Sequence, residues 1–204
     1  MILLPAQSSV SEFCHDLLIA EKLARLGARP PVLRSLCQIG RKVAIRLYKD
    51  AHQGASRQGQ LPYDPYWIVR SAINDIHASI FFGILHDISR LLNRQGLDPK
   101  IFLTAYELYC QVVKKSAETS HLSESGFKSK KLEINRAWHL IQQFNTHEIK
   151  LVVCEKCQSR YLALNTVPKA FQLCPICDVW AHVDGRRRWA SVKSGKIPRH
   201  RDGN

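Results

Sequence analysis

Four cysteines near the C-terminal end constrain this chain more than any other feature of its sequence. Within CEKCQSRYLALNTVPKAFQLCPIC, Cys154, Cys157, Cys174 and Cys177 follow the pattern C-x2-C-x16-C-x2-C. Each C-x2-C pair lets two sulfur atoms converge on one ion, and the 16-residue insert is long enough to bring the second pair back to the first. Four thiolates in a closed tetrahedron are typical of structural Zn²⁺. The spacing therefore predicts one structural zinc ion per chain, with a short β-hairpin in the insert SRYLALNTVPKAF.

The same residues argue against several catalytic sites. A thioredoxin-like centre needs one C-x-x-C in a βαβ setting, which this helical chain lacks. A zinc deaminase needs an H-x-E motif upstream, whereas His147 and Glu148 are adjacent. A hydrolytic zinc site needs an open coordination position, and four cysteines leave none. An iron–sulfur cluster is chemically possible with four cysteines. No P-loop, HExxH or nucleophile elbow is present, so we predict no enzyme.

The cysteine count and the hydropathy pattern bear on the compartment. Seven cysteines is an odd number, and a reducing compartment disfavours disulfides. The most apolar run, IHASIFFGILHDISRLL, contains His77, His86, Asp87 and Arg90, which are too polar for a bilayer crossing. The N-terminal MILLPA has no basic segment of the kind that opens a signal peptide. We therefore expect a cytoplasmic protein.

The positive charge is concentrated in two blocks. The formal net charge is +13, and residues 22–57 hold nine Lys or Arg against one acidic residue. Residues 181–204 hold seven against two, so these blocks account for the whole excess. A surface that only keeps a protein soluble would more often mix both signs. Two basic zones on a neutral body predict a polyanionic partner, and nucleic acid is the usual one.

Apolar residues at helical spacing predict most of the secondary structure. One helix should end near Gly27, a second should begin at Pro30, and a third should follow a turn at 38–40. Longer helices are predicted over residues 67–92, 101–115 and 134–144.

The third helix has a basic ridge. Lys42, Arg46 and Lys49 lie at positions i, i+4 and i+7, within about 60° of one another, and apolar residues occupy the opposite side. Two short helices joined by a glycine-containing turn are similar to a helix-turn-helix. An ordinary solvated helix face fits these residues equally well.

The predicted fold is thus predominantly α. Residues 1–150 form a helical body that contains the partner-binding and helix-turn-helix-like region. Residues 151–180 form a four-cysteine zinc-binding domain, a ribbon-like appendage. Residues 181–204 form a basic, partly disordered tail that could fold onto a phosphate backbone.

Several short motifs in a fixed order carry a family resemblance. They are LARLGAR at 23–29, RLYKD at 46–50, GQLPYDPYW at 59–67, DIHASIFF at 75–82, TAYELY at 104–109 and NRAWHLIQQF at 135–144, followed by the four cysteines. With these, the chain resembles the FlhC family, the zinc-binding subunits of the bacterial flagellar master transcriptional activator.

The resemblance implies a non-catalytic, DNA-binding activator. It implies a heterohexamer in which two FlhC-like subunits join four FlhD-like subunits, bind upstream of promoters and recruit RNA polymerase. The turn LCQIGRKVAI and the segment after the last cysteine differ from the flagellar pattern. Relatives of the family activate transfer genes of conjugative plasmids and integrative elements. The target operons are therefore predicted to be flagellar or conjugative.

The basic residues supply the expected DNA contacts. We expect these contacts from Arg34, Arg41, Lys42, Arg46, Lys49, Arg186, Arg187, Arg188, Lys193 and Lys196. The alternative is a zinc-containing RNA-binding or ribosome-associated module that acts alone, in which Trp180 and Trp189 could stack on bases.

Overall fold

The computed structural model describes residues 10–56, 59–94, 96–119, 131–166 and 173–177. Helices dominate these residues, and a two-stranded antiparallel sheet carries the first cysteine pair. The elements are α1 (Val10–Arg25), α2 (Pro30–Cys37), α3 (Arg41–His52), a 3-10 helix (Pro65–Arg70), α4 (Ala72–Leu91), α5 (Pro99–Thr119), α6 (Ile134–Asn145), β1 (Ile149–Val153) and β2 (Arg160–Leu164). The predicted fold class, a helical protein with a small cysteine-bearing appendage, is confirmed.

The first three helices pack on one another. Gly27, at φ +96°, reverses the chain after α1, and the backbone N–H of Ala28 donates to the carbonyl of Leu23 at 3.0 Å. Glycine suits this position because a side chain is strained at positive φ. Residues 38–40 then connect α2 to α3, with Gln38 left-handed at φ 51° and Ile39 buried. The predicted three-residue turn of a helix-turn-helix-like segment is therefore present.

Aromatic rings fill the space between α4 and α5. The ring of Phe81 meets those of Phe102 and Tyr109 edge-on, at centroid distances of 5.9 and 6.2 Å. The Tyr109 hydroxyl accepts from the backbone N–H of Leu132 and shares a hydrogen bond with His77 Nδ1, both at 2.8 Å. Buried hydroxyls need such partners, because an unpaired one costs about 1–3 kcal/mol. These bonds fix the chain segment that leads into α6.

The helix predicted over residues 67–92 is divided in two. Asp64 caps the 3-10 helix by accepting from the backbone N–H of Tyr66 at 3.1 Å, and Ser71 is extended, with φ −154° and ψ 138°. The short first part lays Trp67 against the guanidinium of Arg136, 4.8 Å from the ring centroid. Apolar spacing runs through both parts, so it does not reveal the break.

Among the described residues, no helix is both long and apolar enough to cross a membrane.

Asn135 connects the start of α6 to the loop before α2. Its Oδ1 accepts from the backbone N–H of Arg29 at 2.8 Å, and its Nδ2 donates to the carbonyl of Gly27 at 3.0 Å. The Asn135 side chain is buried, and both bonds are partly sheltered from water. One side-chain amide thus provides hydrogen-bond partners for the Arg29 N–H and the Gly27 carbonyl, two backbone groups in the loop between α1 and α2.

We expect Asn135→Ala to lower the free energy of unfolding by about 1–3 kcal/mol, because two sheltered backbone groups lose their partners. The measurement is urea unfolding followed by circular dichroism. Asn145→Ala, at the exposed end of the same helix, is the matched control and should change stability little. Equal effects of the two variants would contradict this role.

Candidate metal centre and basic helix

The first cysteine pair lies in the turn between β1 and β2. The strands pair antiparallel with Val153 opposite Arg160, and Cys154 and Cys157 lie between them. The backbone N–H of Cys154 donates to the carbonyl of Ser159, and that of Gln158 donates to the carbonyl of Cys154, both at 2.9 Å. The predicted strand in the insert is present as β2. Its partner is β1, which precedes the cysteines, so the hairpin encloses the first pair.

The four sulfur atoms form one tight cluster. All Sγ atoms of Cys154, Cys157, Cys174 and Cys177 lie within 4.8 Å of one another. The Cys154–Cys177 separation is 3.9 Å and the Cys157–Cys174 separation is 3.5 Å. Disulfide sulfurs lie about 2.0 Å apart, so these are free thiols. A tetrahedral ion with metal–sulfur bonds of about 2.3 Å places its ligands about 3.8 Å apart. These cysteines could therefore hold a metal ion.

Local hydrogen bonds prepare one sulfur for coordination. The hydroxyl and the backbone N–H of Ser159 lower the pKa of the Cys157 thiol to about 6. Burial raises the pKa of Cys174, and hydrogen bonding to Cys157 raises the pKa of Cys177 to about 12. A metal ion would supply the positive charge that ionises the Cys174 and Cys177 thiols, whose pKa values are raised.

β2 packs against a stripe of residues on one face of α4. Ser79, Gly83 and Asp87 are spaced four apart, so they lie on one face of the helix. The backbone N–H of Leu162 donates to the Ser79 hydroxyl at 3.0 Å, and this hydroxyl donates to Asp75 Oδ1 at 2.9 Å. A Cβ added at Gly83 would lie 3.8 Å from Arg160 Nη2. The guanidinium thus passes directly over the glycine to reach the next turn.

Arg160 forms a bidentate ion pair with Asp87 at one end of this stripe. Its Nη1 donates to Asp87 Oδ1 at 2.6 Å and its Nη2 donates to Oδ2 at 2.5 Å. The Arg160 hydrogen bonds lower the pKa of the Asp87 carboxyl to about 2. Nothing in the sequence singles out Asp87 or Arg160, and Ser79 is marked only as part of the family motif at 75–82. The contacts themselves join residues more than 70 positions apart.

The hairpin also shares the main hydrophobic core. Ile149, Leu162 and Leu164 are almost fully buried and belong to the same cluster of side chains as the helices. A second, smaller cluster surrounds Cys154 and Cys174. β1 begins before residue 151. The predicted domain limits at 150 and 180 stay predictions, while the packing joins both strands to the helical body.

The basic residues predicted on α2 and α3 all face solvent. They are Arg34, Arg41, Lys42, Arg46 and Lys49. None of them forms an ion pair or a side-chain hydrogen bond with another residue that the structure describes. On the opposite side of α3, Ala44 is buried, and Val43 and Leu47 pack on the core. The predicted amphipathic orientation of α3 is therefore present.

Two other cations of the first basic block have internal partners. Arg25 pairs with Glu21 at 2.6 Å. The guanidinium of Arg29 donates to the carbonyls of Gly59 and Gln60, at 2.7 and 3.0 Å. Arg29 thus holds the loop that follows α3. The predicted tail contacts, and the tryptophans of the RNA alternative, lie outside the described residues; they are Arg186, Arg187, Arg188, Lys193, Lys196, Trp180 and Trp189.

Comparison with known proteins places these features in a class of bacterial transcriptional regulators. The family model described as "Flagellar transcriptional activator (FlhC)" matches residues 6–190. The chain therefore belongs to the FlhC family, as the motifs predict. The class is a regulatory one.

Three relatives named "Flagellar transcriptional regulator FlhC" illustrate the similarity. The protein of Thauera aminoaromatica is 24% identical over 193 residues, covering 95% of this chain and 92% of the relative. That of Nitrosomonas eutropha is 27% identical over 176 residues, covering 86% and 85%. That of Gallionella capsiferriformans is 30% identical over 159 residues, covering 78% and 81%.

We expect Cys154→Ser to abolish stoichiometric metal binding and to expose the hairpin to proteases, because metal affinity is folding free energy in such small sites. The measurements are elemental analysis of the purified chain and limited proteolysis. Cys14→Ser, at an exposed cysteine outside the cluster, is the control and should change neither. Unchanged metal content in the Cys154 variant would show that the cluster is not the metal site.

We expect Asp87→Asn to lower stability by up to about 1 kcal/mol at neutral pH, since the ion pair is half-exposed and screened. The folded-state pKa of Asp87 is depressed, so its stabilisation is complete above the unfolded value near 3.8 and is lost as the pH falls towards 2. Denaturant unfolding of both proteins at pH 7 and at lower pH tests this. A difference that persists at pH 2 would contradict the ion pair as its cause.

Proposed function

We propose that this chain is the DNA-binding subunit of a transcriptional activator and that it contacts duplex DNA through the exposed basic face of α3. The observation that carries the proposal is the row Arg41, Lys42, Arg46 and Lys49, solvent-exposed on a helix whose other side is packed. Unpaired cations retain their full attraction for phosphate, because no internal carboxylate neutralises them. The names of the relatives support a role in transcription.

The arrangement of the neighbouring elements favours a duplex over other polyanions. A helix with its cations on one side can enter the major groove, whose width of about 12 Å admits an α-helix. Arg34 on α2 is exposed beside the turn and suits a phosphate contact at the groove edge. The acidic residue of α3, Asp50, lies near its C-terminal end and forms no ion pair with any described residue. The tail cations from Arg186 onward would add phosphate contacts.

We further propose that the metal is one structural Zn²⁺ ion. Four cysteine sulfurs within 4.8 Å of one another suit a single tetrahedral ion. A polynuclear iron–sulfur cluster would need its ligands further apart to make room for several metal atoms. Zinc would hold the turn of the hairpin and supply no reaction. Elemental analysis tells zinc from iron, and an iron site would also absorb visible light.

The proposed activator includes a second type of subunit. FlhD-like chains, in a heterohexamer with two copies of this one, would complete the DNA-binding unit and recruit RNA polymerase. Exposed apolar side chains on α1 support a protein partner: Phe13 is 47% exposed and Leu18 is 59% exposed. Co-purification of the two chains tests the assembly. The names of the relatives favour flagellar operons, and conjugative-transfer operons stay a prediction.

We expect the affinity of the complex for DNA to fall steeply with salt. For each phosphate neutralised, the log–log slope should be about −0.9. Replacing Lys42, Arg46 and Lys49 together by Ala should make the slope shallower by about 0.9 for each phosphate contact that is lost. Replacing Lys100, Lys114 and Lys115, three exposed lysines on α5, together by Ala removes the same charge and is the control for net charge. The measurement is a fluorescence-anisotropy titration of duplexes at several salt concentrations.

The outcomes separate the proposals. An unchanged slope in the triple variant would remove α3 from the interface. Binding of single-stranded RNA in preference to every duplex, by the chain without a partner, would favour the RNA-binding alternative.

A further inference from the structure

One apolar side chain interrupts the basic face of α3. Ile45 is 40% exposed, although the other aliphatic residues of the helix are buried or packed on the core. Helical spacing places it between Arg41 and Lys49, four residues away on either side, and next to Lys42. An isoleucine surrounded by three cations therefore lies in the middle of the surface that faces outward.

The packing of α3 fixes this exposure. Ala44 is fully buried, and Val43 and Leu47 lie on the same packed side, so turning the helix to bury Ile45 would expose them. Isolated apolar residues on a surface are ordinary and by themselves need no explanation. What distinguishes Ile45 is its position on α3. Ile45 belongs to the N-terminal half of the second helix of the helix-turn-helix-like segment. In helix-turn-helix proteins this part of the second helix meets base edges.

The major groove offers one apolar group that such a residue can recognise. Each thymine presents its 5-methyl group there, and apolar side chains contact it. Cations on either side would hold the neighbouring phosphates and bring the isoleucine down to the bases. We propose that Ile45 reads thymine in the bound site by packing against this methyl group. The proposal rests on the DNA binding proposed above and adds the chemical identity of one recognised base.

The test removes the methyl group from the DNA without changing its base pairing. Duplexes are first selected from a random pool by the full-length chain in complex with its FlhD-like subunit. Each thymine of a selected site is then replaced, one at a time, by uracil, and the dissociation constant is measured. We expect wild-type binding to weaken about fourfold at each thymine that Ile45 contacts, the effect of one buried methyl group.

The matching protein variants assign the effect to Ile45. Ile45→Ala should bind the thymine and uracil duplexes equally at those positions, whereas Ile45→Val should keep part of the difference. Val112→Ala, at an equally exposed β-branched residue on α5, should keep all of it. Thermal unfolding of each variant checks that the fold is intact. The thymine-to-uracil series measured with the wild-type protein does not depend on these variants.

The possible results are distinct. A complex that binds duplexes and ignores every thymine-to-uracil change would overturn the reading by Ile45 and leave the proposed DNA binding intact. Equal sensitivity in wild type and Ile45→Ala would assign the methyl contact to another residue and overturn it too. Enrichment of no duplex at all would remove the proposed function and this inference together.

Discussion

Docking of β2 against α4 is the interaction on which the candidate metal centre depends. A two-stranded hairpin is marginal on its own in water. Here the burial of Leu162 and Leu164 in the helical core contributes about 1.5–3 kcal/mol for each side chain. The Ser79 hydroxyl satisfies the backbone of the strand, and Asp87 holds Arg160 at its start. Cys154 and Cys157 are thereby held in an ordered turn before any metal ion binds. This reduces the conformational entropy that the chain would lose on binding the ion.

The basic helix obtains its orientation in a different way. Contacts with α1 and α2 hold α3, with Ala44 and the buried Ile39 of the turn in the core. Asn135 then ties the loop in front of α2 to α6, and α6 leads directly into β1. The outward face of α3 and the cysteine hairpin are thus connected through packed elements. The cations on this face have no ion-pair partner among the described residues, and their exposure makes them accessible to an external polyanion.

Local patterns in the sequence predicted local structure well. The helices, the turn at residues 38–40 and the basic ridge follow from spacing within a few turns of chain, and the four cysteines follow from the pattern of metal ligands. The break at Ser71 was missed because the apolar period continues across it. The pairing of β2 with β1 was also missed, because the insert alone contains enough β-forming residues for a hairpin.

The contacts between distant parts of the chain could not be predicted in this way. Ser79, Asp87 and Arg160 are ordinary surface-type residues whose roles depend on which helix face meets which strand. Asn135 was recognised only as part of a family motif, without its two backbone bonds. Such residues acquire their meaning from tertiary packing, and a single sequence holds no periodicity that marks them.

The stripe on α4 limits how freely the cysteine hairpin can be exchanged between relatives. Ser79 accepts from the backbone of β2, and Arg160 passes over Gly83 to end on Asp87, so the hairpin and the helix fit as a matched pair. A chimera that imported only a foreign hairpin would combine its strand with an unmatched helix surface. Grafts between family members should therefore carry positions 79 and 87 together with the cysteines.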